Sequence, residues 1–255
     1  EHLYPVNDSA FNVETQAFVQ VNDPLVDRVR RTPNRVKCAV EAMDEYLKRM
    51  LQLKEQNIKL AIDEWTGGGR GDFSRTLCAA EGLNEMFRHS DVITMGAYTA
   101  FTSCLVYDGA DSCYSTTGLA FSLYRHHFAT IPIAVLGNAP QHDVKGTIGV
   151  DKPAVTSGSD TYPLDVVAAF SSDRKTVTIA VVNPTESPQQ INVTFDHVAL
   201  QDKGTKREIA VPELQTRNFV GQEPKVKIVE TPIDHVPDRL ELAPLSIALY
   251  EFKVR

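Results

Sequence analysis

Ile58-Lys59-Leu60-Ala61-Ile62-Asp63-Glu64-Trp65 is a short apolar run of strand length that closes on two carboxylates and the only tryptophan of the chain. Upstream, residues 34 to 56 carry Val36, Val40, Met43, Leu47 and Met50 at steps of three and four. That spacing predicts an amphipathic helix with one buried face, and Pro33 is expected in its first turn. Downstream comes a glycine-rich loop, Gly67-Gly68-Gly69-Arg70-Gly71, and then a second helical period in Leu77, Ala80, Leu83 and Met86-Phe87, with Ser74 available as a cap. Val92-Ile93-Thr94-Met95 reads as another buried strand, and Leu119 to Phe128 as a third helix. Helix, strand, loop, helix, strand is the order of α/β units with parallel strands. Such folds place their chemistry just past the strand ends, where Asp63 and Glu64 stand.

After about residue 135 the pattern changes, through the Gly/Pro/Asp-rich passage from Gly137 to Asp160, into strands of period two. Val177, Ile179 and Val181 form one such run, and Ile191, Val193 and Phe195 another. Val226 to Val229 and Ser246 to Val254 add further candidates, with turns at Asn183-Pro184 and Lys203-Gly204. The division expected is an α/β unit over 1–135 and an antiparallel β-sandwich over 136–255.

With 255 residues, 42% of them hydrophobic, the chain can bury one large core or two ordinary ones. A net charge of −7 and the lack of any run of five Lys or Arg make nucleic acid and anionic membrane poor partners. No apolar stretch approaches the roughly 18 residues of a membrane span, and Glu1-His2-Leu3-Tyr4-Pro5 lacks the basic-then-apolar design of a signal peptide. A soluble chain is expected, with a cytoplasmic or a periplasmic or secreted location equally compatible. Cys38, Cys78, Cys104 and Cys113 contain no C-x-x-C pair and read as buried free thiols, with a Cys104–Cys113 disulfide as the alternative. Asn192-Val193-Thr194 is a formal glycosylation sequon.

A carboxylate fixed at the end of a parallel strand is well placed to be a nucleophile, because the strand sets its position while the mouth of the fold admits substrate. A surface ion pair or helix cap is the competing reading of the same residues. The glycine-rich loop lacks the Lys-Ser/Thr ending of a phosphate-binding loop, and no G-x-S-x-G elbow occurs. His126-His127 lacks metal-ligand spacing, so neither metal nor cofactor is expected.

Glu1-His2-Leu3-Tyr4, Ala61-Ile62-Asp63-Glu64-Trp65, the helix from Leu83 to Val92 and the ending Ala243-Pro244-Leu245-Ser246-Ile247-Ala248-Leu249-Tyr250 together resemble glycoside hydrolase family 51, the α-L-arabinofuranosidases. These matches spread over nearly the whole chain in the family's order. The resemblance implies the C-terminal half of such an enzyme: strands six to eight of a (β/α)₈ TIM barrel followed by a jelly-roll-like β-sandwich. It implies that Glu64 is the catalytic nucleophile of a retaining glycosidase acting on arabinose-containing oligo- or polysaccharide. Tyr4 would hydrogen-bond the nucleophile, and His2 and Trp65 would line the sugar subsite with it.

Departures from the family pattern bear on substrate. Thr66-Gly67-Gly68-Gly69 follows the tryptophan where the family often has Asn and an aromatic residue, and Ala100 stands near the place of a sugar-contacting Gln. A β-glucan- or xylan-active hydrolase, or a non-catalytic carbohydrate-binding module, therefore stays open. Retaining chemistry needs a second carboxyl group about 5 Å from the nucleophile. The family carries it in an Asn-Glu pair on strand four, which this chain does not contain; Asn84-Glu85 is the only Asn-Glu pair and reads as a helix-surface position. The expectation is a companion polypeptide carrying the first five barrel strands and the acid/base, separately encoded or cleaved from a precursor, with homo-oligomerisation open as well.

Overall fold

The computed structural model describes residues 1–4, 9–12, 14–20, 23–68, 71–99, 104–141 and 156–255. Gly69, Arg70, Ala100 and most of the passage from 137 to 160 lie outside the described residues. The chain begins with β1 (His2–Leu3) and the hairpin of β2 (Ser9–Asn12) and β3 (Ala17–Gln20). The long helix α1 (Leu25–Arg49) starts one turn and more before the expected point. Pro24 is its N-cap, so Pro33 lies inside the helix. The helix runs past Pro33 because its buried face already begins at Val29, and packing there outweighs the one backbone bond that proline cannot donate.

After α2 (Leu51–Glu55), β4 spans Leu60–Trp65, leaving Ile58 in the preceding turn. Helix α3 (Phe73–Arg88) is capped by Asp72, whose side chain accepts the Ser74 N–H at 2.9 Å; Ser74 is the capped residue rather than the cap. Strand β5 (Ile93–Tyr98) completes a parallel sheet ordered β1–β4–β5, with His2 opposite Glu64 and Leu3 opposite Trp65. Val36 and Val40 of α1 and Ala79 and Met86 of α3 cover one face of this sheet, against Leu3, Leu60, Ile62, Trp65 and Ile93. Each large aliphatic side chain buried there contributes about 1.5–3 kcal/mol. The other face is bare along β5, where Met95 and Ala97 are exposed.

Beyond β5 come the hairpin of β6 (Leu105–Asp108) and β7 (Asp111–Tyr114) and then α4 (Thr116–His127), capped by Ser115. The remaining strands are β8 (Ile131–Ile133), β9 (Asp165–Phe170), β10 (Thr176–Asn183), β11 (Gln189–Asn192), β12 (Leu200–Ala210), β13 (Val229–Ile233), β14 (Arg239–Leu242) and β15 (Ser246–Val254). Six of them form an antiparallel sheet ordered β13–β12–β15–β10–β9–β8, and β11 pairs with β14 in a second layer. The strand expected through Phe195 stops at Asn192, and Val226 lies buried in a loop ahead of β13.

The large sheet is buried on both faces, which is why β9 and β10 read as nearly continuous apolar runs. Val166, Ile179, Tyr250 and Phe252 face Leu240 and Leu242 of the small sheet. Val182, Ile209, Ile247 and Leu249 face Val29 of α1, Phe73, Leu77 and Cys78 of α3, and Leu123 of α4. Helices and sheet thus share one core, and β8 joins that sheet before residue 135. None of the four cysteines is in a disulfide; burial pushes the Cys78 thiol up to about 12.

Helix α3 lies between the two sheets and has almost no solvent face, so its polar residues must find partners inside. Asn84 and Glu85, expected at the helix surface, are 0% and 1% exposed. Tyr124 donates to Asn84 Oδ1 at 2.7 Å, and Asn84 donates to Asp165 Oδ2 at 2.8 Å. Arg88 bridges Asp165 and Glu85, the latter at 2.6 Å, and also donates to the Val166 carbonyl at 3.0 Å. Glu85 further accepts from the Gly158 N–H at 3.1 Å and meets His89 at 3.1 Å. Glu81, one turn earlier, is buried with Oε2 unpartnered among the described residues; burial and then the charge of Asp165 raise its pKa well above the carboxylate range.

Removing Arg88 leaves two buried carboxylates without their cation, so Arg88→Ala should destabilise the fold by about 3–5 kcal/mol in urea unfolding, with Arg88→Lys retaining part of the loss. For Glu81, a folded pKa above the unfolded one gives stability that is complete below the unfolded value and lost as pH rises through the folded value. Glu81→Gln, which stays neutral, should therefore gain on the parent as pH rises above the ordinary carboxylate range in the same measurement.

Candidate active site

The three parallel strands end on the same side of their sheet, and the chemistry-bearing residues collect there. Pairing of β1 with β4 sets His2 directly across from Glu64 and carries Tyr4, one residue beyond the strand, over the same carboxylate. The Tyr4 hydroxyl donates to Glu64 Oε2 at 2.6 Å, and His2 Nδ1 lies 3.3 Å from that oxygen. His2 Nε2 is 3.7 Å from Asp63 Oδ1, so the imidazole spans both carboxylates of β4. The Glu64 side chain is 41% exposed, open enough to meet a ligand.

Chiefly the hydrogen bond to Glu64, followed by desolvation and the charge of that carboxylate, raises the Tyr4 phenol above the ordinary tyrosine range. Tyr4 therefore stays protonated and donating well past neutral pH. Thr99, just past β5, is a further hydrogen-bonding neighbour of Tyr4, and its backbone N–H donates to the Trp65 carbonyl at 2.7 Å. Sequence reasoning missed Thr99, which carries no motif; only its place after a buried strand hints at the site.

Trp65 departs from expectation. Its side chain is 1% exposed, edge-on to Tyr98 with ring centroids 4.8 Å apart and tilted toward Phe121 at 6.1 Å. A Cβ added at Gly82 of α3 would sit 2.9 Å from the indole, so the ring fills a notch that only glycine leaves open. A regular strand would send Ile62 and Trp65, three residues apart, to opposite faces. The register shift between them turns both to the helix-covered face, which takes Trp65 out of the subsite and makes it a packing wedge.

The described part of the glycine-rich loop is also packed rather than open. A Cβ at Gly67 would lie 2.6 Å from the Arg75 carbonyl oxygen, so the loop presses on the first turns of α3. Glu85 is held by Arg88 and His89 and is not in the Glu64 cluster. No group of three His, Cys, Asp or Glu side chains among the described residues is arranged to hold a metal ion. What the cluster offers is one accessible carboxylate with a fixed hydroxyl donor and an adjacent imidazole, a combination suited to nucleophilic attack.

No family model and no curated protein sequence matches the chain. Among solved structures, it is similar to the α-L-arabinofuranosidase of Thermotoga maritima, determined as an arabinose complex, at a TM-score of 0.75 and 17% identity, covering 99% of this chain and 52% of that one. The family 51 α-L-arabinofuranosidase of Thermotoga petrophila gives a TM-score of 0.74 at 17% identity over 98% of this chain and 51% of that one. A bifunctional glucanase-xylanase from a metagenome library gives 0.60 at 15% identity over 100% and 43%. The fold is therefore that found in family 51 glycoside hydrolases, and the chain spans about half the length of these proteins.

If the Glu64 carboxylate is what raises the Tyr4 phenol, Glu64→Gln should bring it back toward the ordinary range. Phenolate absorbance followed with rising pH, with Tyr4→Phe to identify the signal, measures this directly; an unmoved Tyr4 titration would break the pairing.

Proposed function

We propose that this chain carries strands six to eight of a (β/α)₈ barrel and the nucleophile, Glu64, of a retaining glycoside hydrolase that releases α-L-arabinofuranosyl groups from plant polysaccharide. The observation that carries the reading is the Tyr4–Glu64–His2 cluster at the C-terminal ends of parallel strands in a fold shared with family 51 enzymes. In the first step Glu64 attacks the anomeric carbon, the glycosidic C–O bond breaks, and the leaving oxygen takes a proton from a second carboxylic acid. In the second step water attacks the glycosyl ester, that carboxylate accepts the water proton, and Glu64 is released ionised. Tyr4 holds the nucleophile's Oε2 in one orientation through both steps, and His2 lines the sugar-facing side. Trp65 supports the strand end from behind and is assigned no contact with sugar.

The acid/base is assigned to the first five barrel strands, carried by a missing N-terminal half or, as proposed here, by a companion polypeptide. Support comes from the bare face of the parallel sheet, with Met95 half exposed on it, and from the outer edges of β1 and β5, which have no strand partner among the described residues. The domain division follows the same reading, with barrel strands in 1–135 and the β-sandwich in 136–255 as a buttress. A β-glucan- or xylan-active hydrolase with the same nucleophile is the second reading, favoured by the likeness to the glucanase-xylanase.

Native mass spectrometry of the purified particle should show a second chain, and denaturing analysis should identify it. In that assembly Glu64→Gln should lower turnover of an aryl arabinofuranoside by about ten-thousandfold with ligand binding kept. A slow substrate should leave one pentosyl mass on this chain. Full activity of the Glu64→Gln assembly would remove the nucleophile assignment.

A further inference from the structure

We infer that the β6–β7 hairpin is a second carbohydrate-binding element, a tyrosine platform that holds the main chain of a neutral polysaccharide beside the catalytic mouth. The orientation of this platform to the mouth rests on the glycosidase reading above. Residues 105–114 follow the C-terminal end of β5, the end of the sheet at which Glu64 and Tyr4 stand. Register pairs Leu105 with Tyr114 and Tyr107 with Ser112, so Tyr107 and Tyr114 occupy diagonal positions on one face of the ribbon. Both are exposed, at 59% and 54%, an unusual use of two large rings on a four-residue strand pair. Diagonal positions in an antiparallel pair are about 7–8 Å apart, a separation that suits successive sugars of a chain better than one sugar.

The platform is braced from below. The Tyr114 ring lies against Gly118 at the start of α4, where an added Cβ would come within 3.0 Å of it. Asn218, buried, donates to the Tyr114 carbonyl at 3.2 Å and is locked to Val226 through both its amide atoms. Rings held in place lose little freedom on binding, which favours them as contact residues. The hairpin sequence, Leu105-Val106-Tyr107-Asp108-Gly109-Ala110-Asp111-Ser112-Cys113-Tyr114, has two carboxylates and no cation. That charge selects against an anionic polymer, while the carboxylates and the Ser112 hydroxyl can hydrogen-bond sugar hydroxyls.

Electrophoresis of the native protein in gels containing soluble arabinoxylan or mixed-linkage β-glucan tests the platform without turnover. Retardation of the parent that free arabinose does not relieve is expected. Tyr107→Ala with Tyr114→Ala should weaken it about tenfold, and the Tyr→Phe pair should keep it. Both variants should show parental unfolding curves, since neither ring is buried. An unretarded parent, or a double alanine variant that binds like the parent, overturns the proposal. So does a double variant that changes the mass of the assembly in native mass spectrometry, which would assign the rings to a protein interface. Glu64→Gln separates the two readings: retardation kept while turnover proves indifferent to Glu64 leaves the platform standing and the glycosidase reading lost. Turnover that depends on Glu64 without retardation removes the platform alone.

Discussion

A helix caught between two sheets has no side left for water, and α3 occupies that position. One of its faces packs on the parallel strands through Ala79 and Met86, another on the antiparallel sheet through Phe73 and Leu77. The seating of the strand that bears Glu64 passes through this helix. Gly82 makes room for the Trp65 indole, Trp65 anchors the end of β4, and β4 sets the height of Glu64 against β1. The polar cost of such burial is met by linking Arg88, Glu85, Asn84, Asp165 and Tyr124 into one network, which also ties α3 to β9 and α4.

The element types were legible in the sequence because each has a period that survives burial on one face. Val36, Val40 and Met43 announced α1, and Val177, Ile179 and Val181 announced β10. Boundaries were less legible, because they depend on tertiary contacts: the start of α1 is decided by Val29 meeting α3 and the large sheet, which no local pattern around Pro33 encodes. The surface reading of Asn84-Glu85 failed for the same reason. An amphipathic pattern reports one buried face, and a helix covered on two sides carries polar residues that look solvent-facing until their partners, here Tyr124, Gly158 and Asp165 at 40 to 81 residues' distance, are known.

The candidate site divides along the same line. Glu64 stood out from a carboxylate at the end of an apolar strand, and Tyr4 and His2 from their resemblance to a family motif; the structure brings all three within hydrogen-bonding or ionic reach. Trp65, set in the subsite by the resemblance alone, is buried instead, because a register shift between Ile62 and Trp65 turns both to the helix-covered face. Thr99 had no sequence signal, since its contribution lies in where β5 ends rather than in its chemistry.

The shared core bears on how such a protein can be divided and inherited. A cut at the change of sequence pattern near residue 135 would fall beside β8, already paired into the large sheet, and would strip α1, α3 and α4 from Val182, Ile209, Ile247 and Leu249. The sandwich would then present an oily face in place of an interior. The outer edges of β1 and β5 in the parallel sheet, by contrast, have no strand partner among the described residues. The energetic seam and the visible change in sequence do not coincide. A change in sequence pattern is thereby no guide to where this chain can be cut, and the strand bearing Glu64 is tied through α3 to the sandwich.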